Sequence, residues 1–167
     1  DMIKKVAVPI GENMTMGELH DELKVKGAEL LLEVIEDIEA GKAQPEKQSE
    51  EEATYASLLK RDMERIDWSK SAADIHNLIR GFNPAPGAFT KLPDGKNLKI
   101  WGSRLTDKAT IAEPGTVVEA TKHSFFVACG NGVLEIIEVQ PESKKRMAAQ
   151  VFINGRGVQV GDVLGKE

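Results

Sequence analysis

The chain has one cysteine, three histidines and no apolar run near the roughly 18 residues needed to span a bilayer. A lone Cys129 excludes an intrachain disulfide and a cysteine-rich zinc site, and fits a reducing compartment. It lies in Phe125-Phe126-Val127-Ala128-Cys129-Gly130, where packing in a strand is a simpler reading than nucleophilic work. Lack of a long apolar run and of a signal peptide argues against the membrane classes, so a soluble, cytoplasmic chain with no membrane partner is expected. A general base must sit about 2.6–3.2 Å from its proton and be oriented by a partner. His20, His76 and His123 have no such partner in the sequence, so solvated or structural roles are expected, and no metal-ligand spacing is present.

Charge divides the 167 residues. Residues 1–53 hold 6 Lys and Arg against 14 Asp and Glu, and residues 54–167 hold 16 against 13, which together give the net −5. The acidic part is a poor partner for polyanions. The later part is a candidate if its cations cluster on one face.

Met2 to Ile10 is apolar enough to read as a strand and needs an edge to pair with, yet the next candidate strand is dozens of residues away. A preceding amino-terminal piece is therefore expected. Thr15-Met16-Gly17-Glu18 has the form of a capping box. Leu19 and Leu23 follow at helical spacing before Gly27 interrupts. A second helix is expected from Ala28 to Ala40, with Leu30, Leu31, Val34, Ile35 and Ile38 on one side and Gly41 at its cap. Residues 42–52 are too polar to bury and read as a connector.

Beyond it, Ser71 and Asp74 offer another cap, and Ile75, Leu78, Ile79 and Phe82 form a helical stripe. Pro84 and Pro86 each lack an amide donor and push Asn83 and Ala85 into extended geometry, so no helix continues past Phe82. From Ala88 the period changes to two. Strands are expected at 88–92, 97–106, 115–121, 124–128 and 132–140, with turns at Pro93-Asp94-Gly95 and Gly130-Asn131-Gly132, and a late helix at 145–153. Five short strands with one helix near the end are compatible with a small oligonucleotide/oligosaccharide-binding (OB) barrel, which by itself fixes no function.

The run Ile79-Arg80-Gly81-Phe82-Asn83-Pro84-Ala85-Pro86-Gly87-Ala88, preceded by Ala53-Thr54-Tyr55-Ala56 and Arg65-Ile66-Asp67-Trp68-Ser69, resembles the start of the carboxy-terminal domain of the methionyl-tRNA formyltransferase family. The likeness extends through Leu98-Lys99-Ile100-Trp101, Gly132-Val133-Leu134-Glu135-Ile136, Lys145-Arg146-Met147 with Ile153-Asn154-Gly155, and Gly161-Asp162-Val163-Leu164-Gly165. Asp1-Met2 through Gly41 is similar to the last strand and helices of the formyltransferase domain. The resemblance implies an α+β chain: residues 1–53 as a remnant of a doubly wound α/β formyltransferase domain with its connector, and residues 54–167 as a small OB-like antiparallel β-barrel.

It also implies a whole enzyme that moves a formyl group from 10-formyltetrahydrofolate to the amine of initiator methionyl-tRNA in translation initiation. The family's catalytic Asn and His belong to an Asn-x-His pattern near Ser-Leu-Leu-Pro, and its Asp precedes a Thr-Gly-Asp-Met-like sequence. This chain has neither of the first two patterns and opens at Asp1-Met2. No catalytic residue carries over, so this stretch alone is expected to be inactive. A monomer is expected, completed by the amino-terminal portion of the same protein.

What remains is contact with the tRNA acceptor arm, mainly through phosphates, which need only a positive group at the right distance. Lys144, Lys145 and Arg146, read as meeting a helix N-terminus, are the strongest cluster, although a solvated helix start explains them as well. Lys60, Arg61 and Arg65 are the second candidate. The family usually places a Lys two residues after its Tyr-Ala pair, where this chain has Ser57-Leu58-Leu59 with the charge displaced to Lys60 and Arg61. Lys99 alternates with Leu98 and Ile100 and should face outward, while Trp68 and Trp101 read as packed residues before stacking platforms. Two other readings stay open: part of a related formyltransferase-fold enzyme acting on a sugar nucleotide or a folate, and a non-enzymatic OB-like binding module.

Overall fold

The computed structural model describes residues 1–166. The chain divides into two compact units, one of residues 1–59 and one from residue 60 onward.

The first unit is built on one helix, α1 (Met16–Glu39). The expected capping box is present: the Thr15 amide donates to Glu18 Oε2 at 2.8 Å, and the Glu18 amide donates to Thr15 Oγ1 at 3.3 Å. The Thr15 amide, and the Thr15 hydroxyl donating from Oγ1 to the same Oε2 at 2.9 Å, hold the Glu18 carboxyl below its usual range. The helix ends with Lys42 N donating to Asp37 O (2.8 Å) and Gly41 N to Ile38 O (3.1 Å), the Schellman pattern that satisfies the last carbonyls. Where the sequence predicted two helices broken at Gly27, one helix runs through it. A mid-helix glycine costs only about 1 kcal/mol relative to alanine, less than a break would lose in backbone bonds.

The strand expected over Met2–Ile10 is also corrected. Only Met2 makes a ladder-type bridge, to Glu46, because nothing else in residues 1–59 offers an extended edge. Lys4 reaches back to α1, with Nζ 3.0 Å from both Glu33 and Asp37. No residue of α1 is buried, and Leu31, Leu32, Ile35 and Ile38 remain exposed.

The second unit opens with a 3-10 turn, Arg61–Glu64, and then α2 (Ala72–Gly81). Ser71 caps α2 by accepting from Asp74 N at 3.1 Å. The predicted stripe is the one that packs: Ile75, Ile79 and Phe82 are buried. Six antiparallel strands follow: β1 (Ala88–Lys91), β2 (Asn97–Leu105), β3 (Val117–Ala120), β4 (Phe125–Ala128), β5 (Val133–Pro141) and β6 (Met147–Ala148). The last helix is α3 (Ala149–Asn154).

The sheet order is β1-β2-β5-β4-β3, with β6 also on β5. Its two outer edges are joined by the closing segment. On the β3 side, Gly161 N donates to Val117 O and Val117 N to Asp162 O, both at 2.8 Å; on the β1 side, Gly165 N donates to Lys91 O at 2.8 Å. With Ile66 N donating to Phe89 O at 2.8 Å on the same β1 edge, both outer edges are covered and the sheet closes into a barrel. Inside lie Leu98, Ile100, Val117, Phe125, Val127, Leu134, Ile136 and Val139, none of them exposed. Burial of each contributes about 1.5–3 kcal/mol. Trp68 donates from Nε1 to the buried Thr90 Oγ1 at 2.9 Å.

The late helix starts later than the sequence predicts. Met147 and Ala148 pair with Val139 and Glu138 as β6, so α3 begins at Ala149, with Ala148 as an N-cap that offers no side-chain bond.

Candidate nucleic-acid interface

That shift changes the strongest sequence candidate. Lys144, Lys145 and Arg146 do not sit at a helix N-terminus. They form the turn between β5 and β6, and all three are exposed. Lys144 N donates to Pro141 O at 3.1 Å, and the Lys144 carbonyl accepts from Gln140 Nε2 at 2.9 Å. These bonds fix the turn on β5 while leaving the Lys144 and Lys145 ammonium groups without a partner among the described residues. Arg146 differs. Its Nη2 is 2.5 Å from Glu138 Oε2, and its guanidinium carbon lies 4.9 Å from the Trp101 ring centroid.

The fold brings a second basic turn to the same end of the barrel. Leu98 pairs with Pro141 and Lys91 with Asn97. Asn97 N donates to Glu142 Oε2, and Glu142 N to Asn97 O, both at 3.0 Å. The β1–β2 hairpin, carrying Lys91, Lys96 and Lys99, therefore adjoins the Lys144–Arg146 turn. Nothing local in the sequence joins these lysines to that turn, since the register that does so spans more than forty positions. Lys99 sits outside the interior, as expected, but donates from Nζ to Pro86 O at 2.6 Å. Lys91 Nζ donates to Gly95 O at 3.0 Å. Lys96 pairs with Asp94 at 2.6 Å, and the carboxylate raises its pKa while its own falls. Six cations thus share this end with Asp94, Glu138 and Glu142, a local excess of positive charge in a chain whose net charge is −5.

The second candidate group lies elsewhere on the same unit. Arg65 bridges to Phe89 of β1 and Ile66 N donates to Phe89 O at 2.8 Å, so this segment runs along the edge of β1 away from β2. Two strands, β1 and β2, separate it from β5, which is roughly 14 Å at 4.8 Å per strand spacing. Arg65 Nη2 donates to Gly165 O at 3.2 Å. Lys60 and Arg61 are exposed at the 3-10 turn. The structure therefore gathers Lys144 and Lys145 with Lys91, Lys96 and Lys99, and keeps Arg65 apart.

Other candidates have structural positions. Trp101 is buried under the Gly87 turn and donates from Nε1 to Gln140 Oε1 at 3.0 Å; Trp68 is sealed at the barrel seam. Neither presents a face for stacking. His76 is buried with Nδ1 2.9 Å from Ser103 Oγ, and His123 Nδ1 lies 3.3 Å from Gln150 Oε1. Burial pushes the Cys129 thiol up to about 11, which keeps it protonated and inert at neutral pH. Among the described residues, no group of three His, Cys, Asp or Glu side chains could hold a metal, and no helix is long and apolar enough to cross a membrane.

Comparison with known proteins agrees with this architecture. Residues 58–157 match the family described as formyl transferase, C-terminal domain. A methionyl-tRNA formyltransferase of Bacillus subtilis (strain 168) is 50% identical over 166 residues, covering 99% of this chain and 52% of that protein. Another, from Symbiobacterium thermophilum, is 50% identical over 163 residues, covering 96% and 50%. The chain spans about half the length of the curated relatives it matches. Among solved structures, a variant of HypX from Aquifex aeolicus superposes with a TM-score of 0.65 at 18% identity, over 89% of this chain and 27% of that one. HypX in complex with tetrahydrofolic acid gives 0.57 at 19%, over 77% and 22%. At such identities these structures speak for the fold alone. On the family match and the level of identity to its relatives, the chain belongs to the formyl transferase C-terminal domain family.

Proposed function

We propose that this chain is the carboxy-terminal part of a methionyl-tRNA formyltransferase, and that its barrel unit holds initiator methionyl-tRNA by acceptor-arm phosphates. The whole enzyme transfers the formyl group of 10-formyltetrahydrofolate to the methionyl amine in translation initiation. The observation that carries this reading is 50% identity over 166 residues to a relative of that name.

The geometry supports a holding role. Lys144 and Lys145 stand free on a turn that is itself pinned to β5, beside three further lysines. Such a surface meets a phosphate backbone without needing a base sequence. Gripping the arm away from the reacting amine makes delivery of that amine effectively intramolecular. The register of the two turns fixes the backbone positions from which these lysines extend, while ordering of the free side chains remains a cost of binding.

One cavity of the barrel unit, about 470 Å³, is a poor fit to the formyl donor: it sets Arg65 and Lys166 beside Asp62 and Asp67, and two cations against two carboxylates leave no net positive charge for the anionic tail of a folate. No chemical step is assigned to this chain.

The test is to incubate the purified chain with methionyl-tRNA and 10-formyltetrahydrofolate. Salt-sensitive retention of tRNA without formyl transfer is expected, and measurable transfer would refute the holding-only role. Displacement of bound tRNA by nucleotide sugars at comparable concentration would favour the other reading, a formyltransferase-fold enzyme with a different acceptor.

A further inference from the structure

Arg146 is adjacent to Lys144 and Lys145 but is held in another way. A register shift between Ile100 and Gly102 interrupts the alternation of β2, and Trp101 lies outside the interior cluster yet is only 7% exposed. Three things cover it. The Asn83–Gly87 turn lies across the indole, close enough that a Cβ on Gly87 would be 2.4 Å from Trp101 Cη2. Lys99 Nζ is 5.6 Å from the ring centroid, and the Arg146 guanidinium is 4.9 Å from it.

The same guanidinium is bound at its edges. Nη2 donates to Glu138 Oε2 at 2.5 Å, and Nη1 donates to Asn83 Oδ1 at 3.4 Å. Asn83 in turn donates from Nδ2 to Trp101 O at 2.8 Å. Arg146, Asn83 and Trp101 therefore form a closed circuit that joins the exit of α2, the middle of β2 and the β5–β6 turn. A planar fork that stacks on an indole and bonds at two edges is a task that arginine performs and lysine does not. Two of the five guanidinium N–H donors go to Glu138 and Asn83, and the Glu138 carboxylate already offsets the charge that a phosphate would seek.

We propose that Arg146 is a positioning residue: it clamps the Asn83–Gly87 turn to the β5–β6 turn and so fixes Lys144 and Lys145, instead of contacting phosphate itself. The part of this concerning phosphate rests on the holding role proposed above; the clamp does not. Two measurements on the full chain, with Arg146→Lys, Arg146→Ala and Glu138→Gln, keep the two apart.

The first needs no tRNA. Each variant should unfold about 4–8 °C lower and be cut by trypsin after Lys144 and Lys145 several-fold faster than the parent. Unchanged cleavage and an unchanged midpoint in Arg146→Lys would overturn the clamp. The second is tRNA binding against salt. Arg146→Lys and Arg146→Ala should both bind several-fold more weakly with the parent's salt slope, because no phosphate contact is removed. A slope reduced by about one unit in Arg146→Ala and restored in Arg146→Lys would make Arg146 a phosphate ligand and overturn the proposal. If the parent binds no tRNA, the holding role fails while cleavage and unfolding still decide the clamp.

Discussion

Replacing Lys144 and Lys145 together with alanine removes the two cations of the β5–β6 turn that no described side chain engages. Each phosphate contact releases roughly 0.7–0.9 counterions, so the double variant should flatten the slope of log affinity against log salt by about 1.4–1.8. Over a fourfold rise in salt from about 50 to 200 mM, the variant should then lose about 7–12-fold less affinity than the parent. At the low-salt end it should bind more weakly, by on the order of 30-fold if each pair contributes about 1 kcal/mol at 4 Å in water. Fluorescence anisotropy with labelled initiator tRNA reads both quantities. Lys122→Ala, on the hairpin between β3 and β4, is the charge control and should leave the slope unchanged. An unaltered slope in the double variant, or equal flattening in Lys122→Ala, would refute assignment of phosphate contact to this turn.

Three further outcomes follow from the barrel unit. Gly87→Ala must hold φ near +91° and place a methyl 2.4 Å from Trp101, so denaturant unfolding should show a loss of roughly 2–4 kcal/mol. Trp68→Phe strips the donor from the buried Thr90 hydroxyl and should cost about 1–3 kcal/mol, part of which Thr90→Val in the same chain restores. Cys129 bears on pH. Burial raises its thiol from the ordinary 9.0 to about 11, so the native state keeps a proton that the unfolded state releases. Stability from this group is therefore complete below pH 9 and falls as pH rises toward about 11; Cys129→Ala should make that fall shallower, and an identical pH profile would contradict the assignment.

The elements that the sequence revealed are those in which period and local chemistry agree. Thr15 with Glu18, Ser71 with Asp74, and the alternation around Leu98 and Ile100 each specify one local geometry, and each is present. The misreadings have a shared cause: a local signal outweighed by partners distant in the chain. Gly27 carries a breaking signal too small to stop a helix of 24 residues. Met2–Ile10 has strand composition but no neighbouring edge in its unit. Met147 and Ala148 look helical until β5 recruits them, and that alone removed the helix start from under Lys144–Arg146. The candidate surface was half legible. Lys144 and Lys145 stand together in the sequence, whereas their proximity to Lys91, Lys96 and Lys99 depends on the pairing of Leu98 with Pro141. Arg146 could not be told from its neighbours by sequence, since what sets it apart is Glu138, Asn83 and an indole turned outward by a bulge.

The most direct test is an equilibrium titration of initiator methionyl-tRNA with this chain at about 50 and 200 mM salt. Saturable binding that weakens steeply between the two and persists when the methionyl group is removed is the expected result. Absence of binding at the lower salt, or affinity that does not change with salt, would contradict it.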